Sequence, residues 1–145
     1  MTGVQTCALP IFTRVLYRKY SGGRHFLVTD AGMTELIRPS HYDAFHRIEP
    51  VSAPVGQMKA DVVGPVCESG DFLALDRDMS QAHAGDLLGV YDVGAYGYVM
   101  ASNYNTRPRG AEVLVEGDRY AVVTARETYD DLVRLERDHL EWRKG

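Results

Sequence analysis

Cys67 is followed at once by Glu68, and the pair sits between Gly64-Pro65-Val66 and Ser69-Gly70-Asp71. A partly exposed cysteine is a competent acid, base or nucleophile. A neighbouring Glu can hold an ammonium group, or favour the protonated thiol. The plainer alternative is a buried structural cysteine. A second pair, Arg38 and Tyr42, lies four residues apart in Met33-Thr34-Glu35-Leu36-Ile37-Arg38-Pro39-Ser40-His41-Tyr42. The guanidinium fork suits a carboxylate, and the Tyr42 hydroxyl can reach the same anion; a surface arginine beside a core-edge tyrosine is the alternative. Tyr96 stands between glycines in Gly94-Ala95-Tyr96-Gly97-Tyr98, which runs on to Ser102-Asn103-Tyr104-Asn105-Thr106-Arg107-Pro108. Glycines there allow close approach of backbone or ligand, or simply a tight aromatic corner. The histidines (His25, His41, His46, His83, His139) are scattered, and His41 and His46 have no nearby Cys, which argues against zinc. No phosphate loop, G-x-S-x-G or H-E-x-x-H is present.

The elements that must position these residues are mostly strands. Phe12–Tyr20 and His25–Thr29 alternate apolar and polar residues around Ser21-Gly22-Gly23, which predicts a hairpin. Asp30-Ala31-Gly32 breaks the second strand. Glu35–His46 is expected as a loop with one helical turn, interrupted at Pro39. Further short strands are expected at Arg47–Val51, Met58–Val66 and Asp86–Asp92, with a short apolar run at Phe72–Leu75 and a helical turn in Val99–Asn105. Glu112–Val115 and Tyr120–Val123 flank Glu116-Gly117-Asp118-Arg119 as a second hairpin. Thr128 with Asp131 reads as a helix start, and Leu132, Val133, Leu135 and Leu140 predict one helix over about 128–142. Short, evenly spaced strands with one terminal helix indicate a mainly β chain, a β-barrel or β-sandwich.

The chain has 145 residues, 45% hydrophobic and 25% charged, which fits one soluble globular domain. A net charge of -4 argues against general nucleic-acid binding. No apolar run approaches the roughly 20 residues of a membrane span. Two distant cysteines make no disulfide framework, so a reducing cytoplasmic setting is expected. Residues 1–11, MTGVQTCALPI, carry no charge and no signal-peptide pattern. They resemble translated read-through of a sequencing-library adapter. The stretch, with Cys7, is therefore set aside as a scar or a disordered N-terminus, and 12–145 is taken as the domain.

Four motifs in order, D-A-G-M-x-x-L-I-R-P-x-x-Y, G-P-x-C-E-S-G-D, D-x-G-A-Y-G and S-N-Y-N-x-R-P-x-x-A-E-V-L-V, resemble the C-terminal β-domain of the diaminopimelate decarboxylases from about Phe12 to Glu136. That resemblance implies an enzyme that uses pyridoxal 5'-phosphate to convert meso-diaminopimelate to lysine and carbon dioxide. It implies a homodimer whose (β/α)8 barrel, of the alanine-racemase kind, carries the cofactor. By motif, Arg38 and Tyr42 would hold a substrate carboxylate and Glu68 the distal amino group. Cys67 would be the proton donor, reaching with Glu68 into the partner subunit's site, and Tyr96 would contact substrate and cofactor. Val93, Thr106 and His41 depart from the pattern without removing a polar group that has a role.

The same resemblance implies what this chain lacks. None of its lysines, Lys19, Lys59 and Lys144, matches the family's cofactor lysine. The barrel, the glycine-rich phosphate site and the E-P-G-R segment would lie upstream of Phe12. The chain alone is therefore expected to be inactive. The alternatives are a domain of a related decarboxylase acting on a basic amino acid or on carboxynorspermidine, and a free-standing β-domain that works by association.

Overall fold

The computed structural model describes residues 9–53, 55–136 and 142–144. The chain divides between Ala101 and Ser102 into two compact units.

The first unit is built on strands β1 (Ile11–Ser21), β2 (Arg24–Thr29), β3 (Ile48–Pro50), β4 (Val55–Val63), β5 (Phe72–Gln81) and β6 (Leu87–Val90). They form one sheet in the order β3-β6-β1-β2-β4-β5. The edge strands β3 and β5 lie against each other, so the sheet is a nearly closed barrel. Arg77 of β5 donates to the backbone oxygen of His46, just before β3, at 2.7 Å and stacks 3.9 Å from the centre of the Phe45 ring. Side chains thus tie a seam where ladder pairing is missing. Val15, Leu27, Val62, Leu88 and Val90 are fully buried in its core. The β1–β2 hairpin is as expected, with Gly22 and Gly23 both at positive φ, the conformation a tight hairpin turn requires. β1 starts at Ile11, which pairs with Val90.

β2 and β4 are parallel, and every other pair is antiparallel. Parallel neighbours need a crossover. Here the crossover is the stretch from Asp30 to β4, and it carries helix α1 (Arg38–Tyr42). Pro39, expected from sequence to interrupt the helical turn, instead sits in the first turn of α1. A missing N–H is harmless there and the fixed φ suits the helix. β5 begins with the apolar run Phe72–Leu75 and continues to Gln81. Asp76 takes a left-handed conformation and donates its amide to Asp61 Oδ1 at 2.6 Å. That bulge satisfies the backbone through Asp76-Arg77-Asp78, where the apolar pattern lapses.

In the second unit β7 (Glu112–Glu116) and β8 (Arg119–Thr124) form the expected hairpin, with Gly117 at φ 61 in the turn. Thr128 caps helix α2 (Tyr129–Val133) through the expected reciprocal box: Asp131 N donates to Thr128 Oγ1 at 3.2 Å, and Thr128 N to Asp131 Oδ2 at 2.7 Å. The helix is shorter than the expected 128–142. It ends at Val133, and Glu136 N turns back onto Val133 O at 2.8 Å. Short helices persist by packing an apolar face; here Val133 and Leu135 are exposed and only Leu132 is half-buried. Leu140 lies outside the described residues. Among the described residues the structure is mainly β, as expected, with the short α-helices α1 and α2.

Candidate functional site

All five candidate side chains belong to the first unit, and α1 is the element their segments share. The loop before it is rigid by construction. Thr13 Oγ1 donates to Asp30 Oδ1 at 2.6 Å and accepts from Ala31 N at 2.9 Å. Glu35 Oε2 accepts from Gly32 N and Thr34 Oγ1, both at 2.8 Å. Leu36 is buried in the core, which fixes where α1 begins. Arg38 opens the helix and Tyr42 closes it, so the pair lies on one helical face. Asp43 ends the helix in a left-handed conformation. Tyr42 is exposed, with the His41 ring edge-on at 4.7 Å. The exposure of Tyr42 and the half-buried state of Arg38 leave both polar ends accessible.

Tyr96 reaches α1 from the loop after β6. The Arg38 guanidinium carbon lies 5.8 Å from the centre of its ring, within range of a cation–π attraction. Gly97 is required beside it, because a Cβ there would stand 2.2 Å from Val93 Cγ1.

Cys67 and Glu68 lie in the turn between β4 and β5, whose Gly70 faces α1. Both are exposed, so the buried structural cysteine is set aside. The turn is closed by Glu68 N donating to Val66 O at 2.8 Å and Asp71 N to Glu68 O at 3.0 Å. Its Gly70 packs on α1: a Cβ at 70 would sit 3.6 Å from Ser40 Cβ. One helix therefore has the arginine–tyrosine contact and the thiol–carboxylate turn as neighbours. The combination offers a fixed cation for a carboxylate, a carboxylate for an ammonium, and an accessible S–H.

Sequence reasoning overlooked Asp71. It is 4% exposed, and its carboxylate accepts from Met33 N (Oδ1, 2.7 Å) and Val66 N (Oδ2, 2.6 Å). The available signal was the pair of glycines Gly32 and Gly64, whose missing Cβ atoms leave the space that the carboxylate fills.

The Ser102–Pro108 segment belongs to the second unit, where Glu127 organises it. Glu127 accepts from Arg109 N (2.7 Å), Arg109 Nε (2.8 Å) and Asn103 Nδ2 (2.6 Å). The Arg109 guanidinium and backbone amide hold the Glu127 carboxyl down to about 2. Asn105 and Thr106 are both at positive φ, a strained pair held within this clamp.

Among the described residues, no cluster of three or more His, Cys, Asp or Glu could hold a metal ion, and no helix is long and apolar enough to cross a membrane. A cleft of about 350 Å³ lies elsewhere, among Arg18, Arg24, Lys59 and Asp61, and contains none of the five site residues. Among its charges, Arg24 pairs with Asp61 and Lys59 with Asp76.

Residues 7–94 match the family described as pyridoxal-dependent decarboxylase, C-terminal sheet domain. A diaminopimelate decarboxylase of Aquifex aeolicus is 49% identical over 124 residues, covering 85% of this chain and 30% of that protein. A crystal structure from Aquifex aeolicus superposes with a TM-score of 0.87 at 47% identity, covering 90% of this chain and 32% of that one. The diaminopimelate decarboxylase of Helicobacter pylori, complexed with L-lysine, gives a TM-score of 0.80 at 42% identity, over 88% of this chain and 31% of that one. The chain spans about 30% of the length of the curated relatives it matches.

Proposed function

Since the chain belongs to the pyridoxal-dependent decarboxylase family, as its C-terminal sheet domain, we propose that it is the β-domain of a diaminopimelate decarboxylase. In this reading it supplies substrate-binding and proton-donor groups to a composite site in the cytoplasm. The observation that carries the reading is the convergence on α1: Arg38 against Tyr96, and the Cys67–Glu68 turn against Ser40. The relatives' names and the L-lysine bound to one of them support the substrate class.

The residues present fit only part of a pyridoxal phosphate site. Lys19 is exposed, and the exposed Lys59 is paired with Asp76 and Asp78; neither is a desolvated amine suited to bonding the cofactor. Tyr96 is this chain's share. When bound, the cofactor supplies the electron sink that lets carbon dioxide leave. The chain's own groups orient and protonate. Arg38, with Tyr42, holds a substrate carboxylate as a paired, directional contact. Glu68 holds the ammonium at the far end, selecting a molecule with two amino-acid ends. Cys67 Sγ–H delivers one proton to the carbon from which carbon dioxide departed, the part of a general acid. Tyr96 buttresses Arg38 and presents its ring to substrate and cofactor.

All of these groups except Arg38 stand exposed. Low-dielectric proton transfer needs water excluded, so an opposing surface must complete the site. In this reading that surface is the barrel and a second subunit of a homodimer, and the 145-residue chain alone is inactive. The test is to recover the reading frame upstream of the Phe12 codon, express the complete polypeptide and measure carbon dioxide release. Release from meso-diaminopimelate, above that from ornithine, arginine and carboxynorspermidine, supports the reading. Preference for another of these substrates assigns the domain to a related decarboxylase. A frame that truly starts near Phe12 leaves a β-domain that acts by association.

A further inference from the structure

We infer that Asp71 is a positioning residue, whose carboxylate locks the α1 segment and the Cys67–Glu68 turn into one rigid body; the inference rests on the function proposed above for those two segments. Met33 and Val66 belong to different loops. Each donates its backbone N–H to a different oxygen of the same carboxylate, at 2.7 and 2.6 Å. Met33 lies five residues before Arg38, and Val66 is bonded directly to Cys67. The Asp71 backbone adds to the clamp, accepting from Gly64 N at 3.0 Å and donating to Glu68 O at 3.0 Å.

The surroundings are built for this carboxylate. A Cβ at Gly32 would lie 2.1 Å from Asp71 Oδ1, and one at Gly64 2.2 Å from the same atom. The Gly32 position would also come within 2.8 Å of Gly64 Cα. The two loops touch only because both residues lack a side chain and the carboxylate fills the space they leave. Asn cannot replace Asp71 here. It has a single acceptor oxygen, and its NH₂ would face a backbone N–H, so one amide would be buried without a partner. A displacement of about 1 Å at either segment is enough to cost catalysis on the order of 100-fold.

Asp61 provides the control. It is equally buried, accepts from Asp76 N at 2.6 Å and pairs with Arg24, yet its partners lie in the sheet and outside the site. In the complete polypeptide, Asp71→Asn is expected to lower kcat and raise KM for meso-diaminopimelate together, with at least a tenfold loss in kcat/KM. Asp61→Asn, compared at an equal drop in Tm, is expected to stay within twofold of the parent. Equal losses for the two variants at equal Tm would overturn the inference. Hydrogen exchange on the unaltered 145-residue chain tests the lock without relying on any variant's folding or on the proposed function. Met33 and Val66 amides should share one opening constant; exchange of one more than tenfold faster than the other overturns the lock. If Cys67→Ala leaves turnover intact, the decarboxylase reading of the turn fails, and the exchange measurement still decides the role of Asp71.

Discussion

The Arg38 guanidinium lies 5.8 Å from the centre of the Tyr96 ring, so the cation that would meet substrate is held by an aromatic from a different loop. A ring face orients a planar guanidinium better than a compact ammonium. In the complete enzyme, Arg38→Lys should therefore recover little of what Arg38→Ala loses. Both should raise KM for meso-diaminopimelate by about 10–100-fold, the range for losing a charge-assisted contact. Tyr96→Leu should weaken binding in the same direction. Steady-state kinetics on the three variants check this; full recovery by lysine would mean that only the charge matters.

Cys67 is exposed at the tip of a turn whose backbone is fixed by Asp71. A proton donor acts in the transition state and contributes little to substrate binding. Cys67→Ala should lower kcat about 100- to 10,000-fold, the usual range for a lost general acid, with KM changed less than threefold. Turnover equal to the parent would leave Cys67 without a catalytic role.

Both hairpins, the α2 capping box and the loop character of the three chemical segments were legible in sequence, because turn glycines and a Thr128–Asp131 spacing act locally. The five candidate residues were legible as motifs. The packing of Tyr96 and of Gly70 against α1 was not, since it depends on the β2–β4 parallel crossover, which pairs strands distant in sequence. The length of β5 was hidden by Asp76-Arg77-Asp78, whose bulge is satisfied by Asp61 from another strand. Asp71 was hidden for the same reason: nothing next to it in sequence announces that its partners are Met33 and Val66.

The lysines of this chain give a direct test of the proposal that its cofactor lysine belongs to another domain. Lys19 and Lys59 are exposed, and Asp76, by hydrogen bond and charge and helped by Asp78, raises the pKa of Lys59. A raised pKa keeps the amine protonated and non-nucleophilic at neutral pH. The 145-residue chain mixed with pyridoxal phosphate and then borohydride should carry no stoichiometric adduct by mass spectrometry. A single lysine trapped in full would overturn the expectation that the cofactor lysine lies elsewhere.

Glu127 makes the Ser102–Arg109 segment sensitive to acid. Its ordinary carboxyl value of 4.5 falls to about 2 in the folded chain, chiefly through the Arg109 hydrogen bonds. A carboxyl depressed on folding contributes stability that is complete above its unfolded value and is lost as pH falls through the folded one. The contribution should therefore be constant from neutral pH to about 5 and disappear between about 4.5 and about 2. Replacing Glu127 with Gln removes the charge at every pH. The parent and Glu127→Gln chains should differ most in the exchange protection of the Arg109 amide near pH 6, since that amide donates to Glu127 Oε2 at 2.7 Å. The difference should shrink steadily as the solution approaches pH 2. A gap that stays constant from pH 6 to pH 3 would mean that the clamp works through shape and neutral hydrogen bonding, with no share from the carboxylate charge.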